Sequence, residues 1–232
     1  MTLIAVLDYG IGNLRSAQKA LQKVGADARL TADPGLIADA AGVVLPGVGA
    51  FGRCMEALRH SGLHDLASDA ARDGAASGRP FLGICVGMQM LYRGSDETPS
   101  CAGLGIVDAE VRLLPAGVKR PQMQWNVLES VEPLEPLKPV EPGDPDGTAE
   151  PAMLAGIASP TWVYFVHSFA AEPTEETIAT CHYGGPVTAA IARNNLWATQ
   201  FHPEKSGTNG LAILANFVAA ADHSEARMAG AA

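Results

Sequence analysis

Basic residues are scarce in this chain: 16 lysines and arginines stand against 25 acids, a formal net charge of −9 over 232 residues. That shortage argues against a nucleic-acid binder, which needs a basic face to neutralise phosphates. The four cysteines, Cys54, Cys85, Cys101 and Cys181, are widely spaced, with no C-x-x-C pair and no short secreted framework. Reduced thiols in a cytoplasmic setting are expected, rather than disulfides. The six histidines do not gather with these cysteines at ligand spacing, so neither a metal nor a cofactor is expected. His60 and His64 are one helical turn apart and read as a solvated helix face. No apolar run approaches the roughly 20 residues that cross a bilayer. The opening Met1-Thr2-Leu3-Ile4-Ala5-Val6-Leu7-Asp8 is too short for a secretory signal and lacks its basic start. Internal repeats of useful length are absent too.

What is present is an alternation of strand and helix. The residues predict strands over 3–7, 28–31, 42–45 and 80–84, with helices over 13–24, 34–40, 50–59 and 63–76 between them. These strands carry almost no polar alternation, which suits a sheet covered on both faces. From Val107 onward the strands shorten and alternate, over 110–114, 161–165, 177–183 and 187–192, and Asn194-Asn195 reads as a hairpin turn. The expected fold is therefore α/β: one domain over 1–222, a doubly wound, mostly parallel sheet with helices on both faces and an antiparallel portion in the second half. Residues 129–156 hold Pro133, Pro136, Pro139, Pro142, Pro145 and Pro151 among many acids, which predicts a solvated excursion without a regular helix or central strand. A helix over 210–221 and a loosely held tail over 223–232 complete the prediction.

Two segments carry chemistry. Arg79-Pro80-Phe81-Leu82-Gly83-Ile84-Cys85-Val86-Gly87-Met88-Gln89 runs an apolar strand into a turn with a cysteine between two glycines, the spacing of a nucleophile elbow. A helix starting at Val86 would aim free N–H groups at the sulfur. Cysteines in apolar runs are most often inert core residues, and by itself this one is evenly balanced between the two readings. Trp197-Ala198-Thr199-Gln200-Phe201-His202-Pro203-Glu204 shifts the balance, because a strand-like run delivers an imidazole with a carboxylate two residues on. Such a pair can take the thiol proton and keep the ring in one tautomer. Alone, an H-x-E would be better read as a strand cap beside a solvated acid.

Elbow cysteine followed by H-P-E on an α/β chain resembles the class I glutamine amidotransferases. Asp8-Tyr9-Gly10-Ile11-Gly12-Asn13-Leu14, Leu45-Pro46-Gly47-Val48-Gly49-Ala50-Phe51 and Pro121-Gln122-Met123-Gln124-Trp125-Asn126 narrow the resemblance to the glutaminase subunits of imidazole glycerol phosphate synthases, of histidine biosynthesis. The chain departs from that pattern at Gln124, where glycine is usual, and at Phe169, where tyrosine is usual. The resemblance implies a Cys85, His202, Glu204 triad and an oxyanion hole from Val48, Gly49 and Val86. It implies substrate contacts from Gly47, Gln89, Ser168 and Phe169, with His167 a hydrogen-bonded wall residue. It also implies a (β/α)8 cyclase partner that receives the ammonia and makes imidazole glycerol phosphate and an aminoimidazole carboxamide ribotide. Asn13, Met123, Trp125 and Asn126 are candidates for the face toward that partner. Other class I subunits, feeding anthranilate or pyridoxal phosphate synthesis, a thiol amidase on other substrates, and a silent binding module remain the alternatives.

Overall fold

The computed structural model describes residues 1–130, 152–157 and 159–230. The first half alternates: β1 (Leu3–Leu7), α1 (Leu14–Lys23), β2 (Asp27–Thr31), α2 (Pro34–Asp39), β3 (Gly42–Gly47), α3 (Phe51–His60), α4 (His64–Ala75), β4 (Phe81–Cys85) and the single turn α5 (Val86–Gln89). The second half is mostly strand: β5 (Tyr92–Ser95), β6 (Val107–Leu113), β7 (Gln122–Ser130), β8 (Thr161–His167), β9 (Phe169–Ala171), β10 (Thr177–His182), β11 (Pro186–Arg193) and β12 (Leu196–Thr199), closed by α6 (Gly207–Gly230). Short 3-10 turns occupy Ala152–Leu154 and Pro203–Lys205.

Local chemistry accounts for these boundaries. In α1 the buried residues Leu14, Ala17, Ala20 and Leu21 recur at helical spacing, and Gly25, with φ +98°, turns the chain where the helix stops. In α2, Asp33 Oδ1 accepts the Leu36 N–H at 2.7 Å while Pro34 occupies the first turn, where a missing N–H costs nothing. Every residue of β3 and β4 is buried, as strands covered on both faces require.

Among the described residues, nine strands form one sheet in the order β2-β1-β3-β4-β12-β11-β10-β7-β8. Pairing is parallel from β2 to β12 and antiparallel from β12 onward. The expected doubly wound core with its antiparallel portion is thus present. Leu196 pairs with Phe81 and Trp197 with Leu82, so Phe81 and Trp197 point to opposite faces. Phe81 borders Gly74 of α4 and Trp197 stacks edge-on with Phe217 of α6, which sets these two helices on opposite faces. A second sheet, β5-β6-β9, flanks the first, and Ser168 alone separates β8 in one from β9 in the other.

Several expectations change. His60 ends α3 and His64 begins α4, so they do not share a helix face; a turn through Gly62 at φ +74° separates them. The last helix begins at Gly207 and runs to Gly230, so residues expected as a loose tail from 223 continue it. Glu129 and Ser130 complete β7, and of the proline-rich excursion 131–151 lies outside the described residues. Strands β5, β7 and β9 were not among the expected elements.

Candidate active site

Parallel pairing brings the site together. Gly47 is registered opposite Cys85 and Thr199 opposite Ile84, so β3, β4 and β12 all end at one edge of the sheet. That edge, outside the carboxyl ends of parallel strands, is where open α/β sheets hold ligands. A cavity of about 530 Å³ opens there, lined by Asn13, Val48, Gly49, Cys85, Val86, Gln89, Glu97, Pro121, Val166, His167, Ser168, Phe169, His202 and Lys205.

Cys85 sits at the elbow with φ 55° and ψ −110°, a left-handed backbone that a residue with a Cβ adopts only at a cost of about 1–3 kcal/mol. The flanking glycines let this turn pack. A Cβ on Gly87 would run into the Leu45 carbonyl oxygen, and one on Gly83 would lie 3.0 Å from the Gly87 oxygen. Gly47 is not among the lining residues; its own missing Cβ admits the Gly87 nitrogen, which such an atom would meet at 2.7 Å. The helix after the elbow is one turn of four residues, much shorter than a dipole argument needs.

His202 lies past the end of β12, fastened to β8 on both sides of its backbone. Its N–H donates to the Tyr164 carbonyl at 3.0 Å, and the Ser206 hydroxyl donates to the His202 carbonyl at 2.6 Å while accepting from Tyr164 N–H at 3.0 Å. The ring Nδ1 is 2.8 Å from Glu204 Oε1, and both side chains are buried. Burial opposes a charge on the imidazole, but the Cys85 side chain and then Glu204 outweigh it and push His202 up to about 9. Among the described residues Nε2 has no partner of hydrogen-bonding geometry, so the nitrogen not bound to Glu204 is uncommitted. Glu204 itself stands behind the ring and does not line the cavity.

His167 is the second imidazole of the wall, with Nδ1 2.9 Å from the Phe169 carbonyl oxygen, as a hydrogen-bonded wall residue should be. Burial first, then the nearby His202, lowers it to about 4, so it is neutral where His202 is charged. The carbonyl oxygens of Ser168 and Phe169 are already engaged, the first by Leu114 N–H and the second by His167 and Gln89. They are therefore less free for a ligand than the sequence suggested.

Behind the 46–49 loop, Tyr9 donates its hydroxyl proton to the Pro46 carbonyl at 2.6 Å and Cys54 Sγ donates to the Val48 carbonyl at 3.2 Å. Burial raises the pKa of both groups, which keeps them protonated as donors. Gly49, at φ +87°, takes a backbone that favours glycine.

Of the residues expected to face a partner, Asn13 lines the cavity and Met123 and Trp125 are exposed, at 62% and 48%. Asn126 is half-buried and donates to the His182 carbonyl, so its amide is used internally. Gln124 is a strand residue opposite Phe165 with an exposed side chain; no turn occurs there. Sequence reading did not single out Glu97, the one acid among the described residues of the cavity wall, whose Oε2 also accepts Phe51 N–H at 2.7 Å. It also passed over Gln200, fully buried beside Cys85. An acid in a polar loop and a glutamine just past a strand give no signal until the fold brings the first to the cavity wall and the second to the sulfur.

Residues 5–221 match the model of the family "Glutamine amidotransferase class-I". The chain is 43% identical over 219 residues to the imidazole glycerol phosphate synthase subunit HisH of Moorella thermoacetica, covering 94% of each. It is 46% identical over 220 residues to the subunit HisH of Synechococcus elongatus, covering 93% of this chain and 92% of that one. In three dimensions it resembles a solved glutamine amidotransferase, with a TM-score of 0.68 at 18% identity over 94% of this chain and 98% of that one, a likeness of fold alone. Matched by that family model over residues 5–221 and by these relatives over nearly its whole length, this chain belongs to the class-I glutamine amidotransferases, in the family of the HisH subunits.

Proposed function

We propose that this chain is the glutaminase subunit of an imidazole glycerol phosphate synthase, acting in the cytoplasm in histidine biosynthesis. The carrying observation is a thiol held in a strained elbow beside an imidazole that is itself bonded to a buried carboxylate. Cys85 attacks the side-chain amide carbon of glutamine and forms a glutamyl thioester. His202, protonated near neutral pH, gives its proton to departing ammonia, then takes one from the water that releases glutamate. Glu204 keeps the ring oriented and balances its charge.

The carbonyl of the amide becomes an oxyanion, and Val48, Gly49 and Val86, all residues of the cavity wall, are the ones whose main-chain N–H groups would form its hole. Tyr9 and Cys54 anchor the carbonyls on either side of the Gly47-Val48 peptide, which leaves that peptide as the one to turn when the hole forms. Glu97 suits the α-ammonium of glutamine as the one carboxylate among the described residues of the wall, and Gln89 adds an amide.

Ammonia released in water is protonated and loses its nucleophilicity, so the product passes directly to a docked (β/α)8 cyclase. The exposed pair Met123 and Trp125, adjoining the cavity wall through Val166 and Pro121, forms part of that docking face together with Asn13. The deciding experiment is glutamine hydrolysis measured with the cyclase, with its nucleotide substrate, and with both. Stimulation that needs both supports this assignment; full turnover by the isolated chain refutes the partner-dependent hole. Stimulation by another synthase instead would place the chain in a different amidotransferase.

A further inference from the structure

Gln200 takes no part in the steps above, yet its side chain is fully buried and touches the nucleophile. Gln89 Nε2 donates to the Phe169 carbonyl oxygen at 2.9 Å and to Gln200 Oε1 at 3.0 Å, and Gln200 Nε2 donates to Cys85 Sγ at 3.7 Å. The direction of these bonds follows from donor chemistry. A main-chain carbonyl only accepts, so the Gln89 atom facing Phe169 is its NH2. That NH2 offers its second hydrogen to Gln200, whose facing atom is therefore the oxygen. The NH2 of Gln200 is then the end that meets the sulfur. One backbone carbonyl thus sets the polarity of two side-chain amides drawn from α5 and from the segment after β12.

We propose that Gln200 stabilises the thiolate of Cys85 through this N–H, and that Gln89 is the positioning residue that keeps the donor end of Gln200 turned toward the sulfur. The inference deepens the reading of Cys85 as a nucleophile and rests on it. A hydrogen bond to an ionised acceptor is stronger than one to a neutral thiol, so a fixed donor favours S⁻ over S–H. Full burial removes competing water, and it makes rotation of the amide costly, because either buried amide would then face a like group. Since Gln89 also lines the cavity, the same two bonds tie one wall of the substrate site to the nucleophile.

The test reads the thiolate directly. Iodoacetamide alkylates thiolate and not thiol, and mass spectrometry of the Cys85 peptide separates it from the other three cysteines. In Gln200→Met, which keeps the chain length and removes the amide, alkylation of Cys85 near neutral pH is expected to slow about tenfold while its alkaline plateau is kept. Gln89→Met touches no sulfur yet is expected to slow it to a similar degree, and the double variant is no slower than the worse single, because both break one relay. An unchanged pH profile of Cys85 alkylation in a Gln200→Met protein of unchanged thermal midpoint overturns the proposal, as do strictly additive effects. If Gln200→Met does not fold, an unchanged profile in Gln89→Met overturns it alone. The alkylation profile needs no glutamine turnover, so a protein that releases no ammonia with its partner would sink the glutaminase reading and leave this test standing.

Discussion

At the sulfur of Cys85, three constraints meet: a left-handed backbone, a neighbouring imidazole and a fixed amide donor. Cys85→Ala leaves the elbow in place and removes the proposed attacking atom, so glutamine hydrolysis in the proposed partner complex is expected to fall by about 10⁴-fold or more, read as ammonia release. Glu204→Gln keeps the shape but permits the wrong ring tautomer, and should lower kcat by about 10²-fold to 10⁴-fold with a smaller change in KM. The two wall histidines also predict an opposed pH dependence of stability. His202, raised to about 9, stabilises the fold fully below the unfolded value near 6.5, and that contribution is lost as pH rises to about 9. His167, lowered to about 4, acts in the other sense: its contribution is present above 6.5 and is lost as pH falls toward 4. Denaturant unfolding across this range should show a maximum near 6.5, with the alkaline decline shallower in His202→Asn and the acid decline shallower in His167→Asn.

Among the elements, the turn from β4 into α5 carries the tightest steric demand. A side-chain carbon on Gly87 would collide with the Leu45 carbonyl of β3, a rigid backbone atom that has no way to yield. Gly87→Ala is expected to destabilise the protein by about 2–4 kcal/mol in chemical unfolding and to misplace Cys85 in whatever folds. Gly49, whose added carbon meets nothing within 4 Å, owes its constraint to φ +87° alone. The anchors of the 46–49 loop make a gentler case. Tyr9→Phe removes the hydroxyl that holds the Pro46 carbonyl, worth about 1 kcal/mol of stability, and its sharper consequence is a change in the ratio of stimulated to basal glutamine turnover.

For the whole molecule, three of the five large apolar side chains exposed among the described residues, Met123, Trp125 and Trp162, sit on β7 and β8, where Trp125 stacks edge-on against Tyr164 and Trp162 is 51% exposed. In the proposed docking face, Trp125, half in water near the cavity, is the aromatic side chain that a partner would bury. Trp125→Ala should weaken cyclase binding by about 2 kcal/mol, roughly 30-fold in Kd, measured by titration calorimetry. An unchanged Kd would move the docking face elsewhere.

The residues alone determined the strands and helices of the first half, because β1, β3 and β4 are apolar runs sealed on both faces, α1, α3 and α4 carry buried residues at helical spacing, and α2 has its Asp33 cap. They also determined the elbow and the His202, Glu204 pair, whose members are neighbours along the chain and need no fold to meet. Strand β7 was hidden because its alternation is inverted: Gln122 points inward to Cys181 while Met123 and Trp125 face water. Only the tertiary structure decided that β12 inserts beside β4, and with it that an imidazole and an amide from the far end of the chain reach the thiol. Register between strands is a property of their pairing, and a pairing across 115 residues is written in no local pattern.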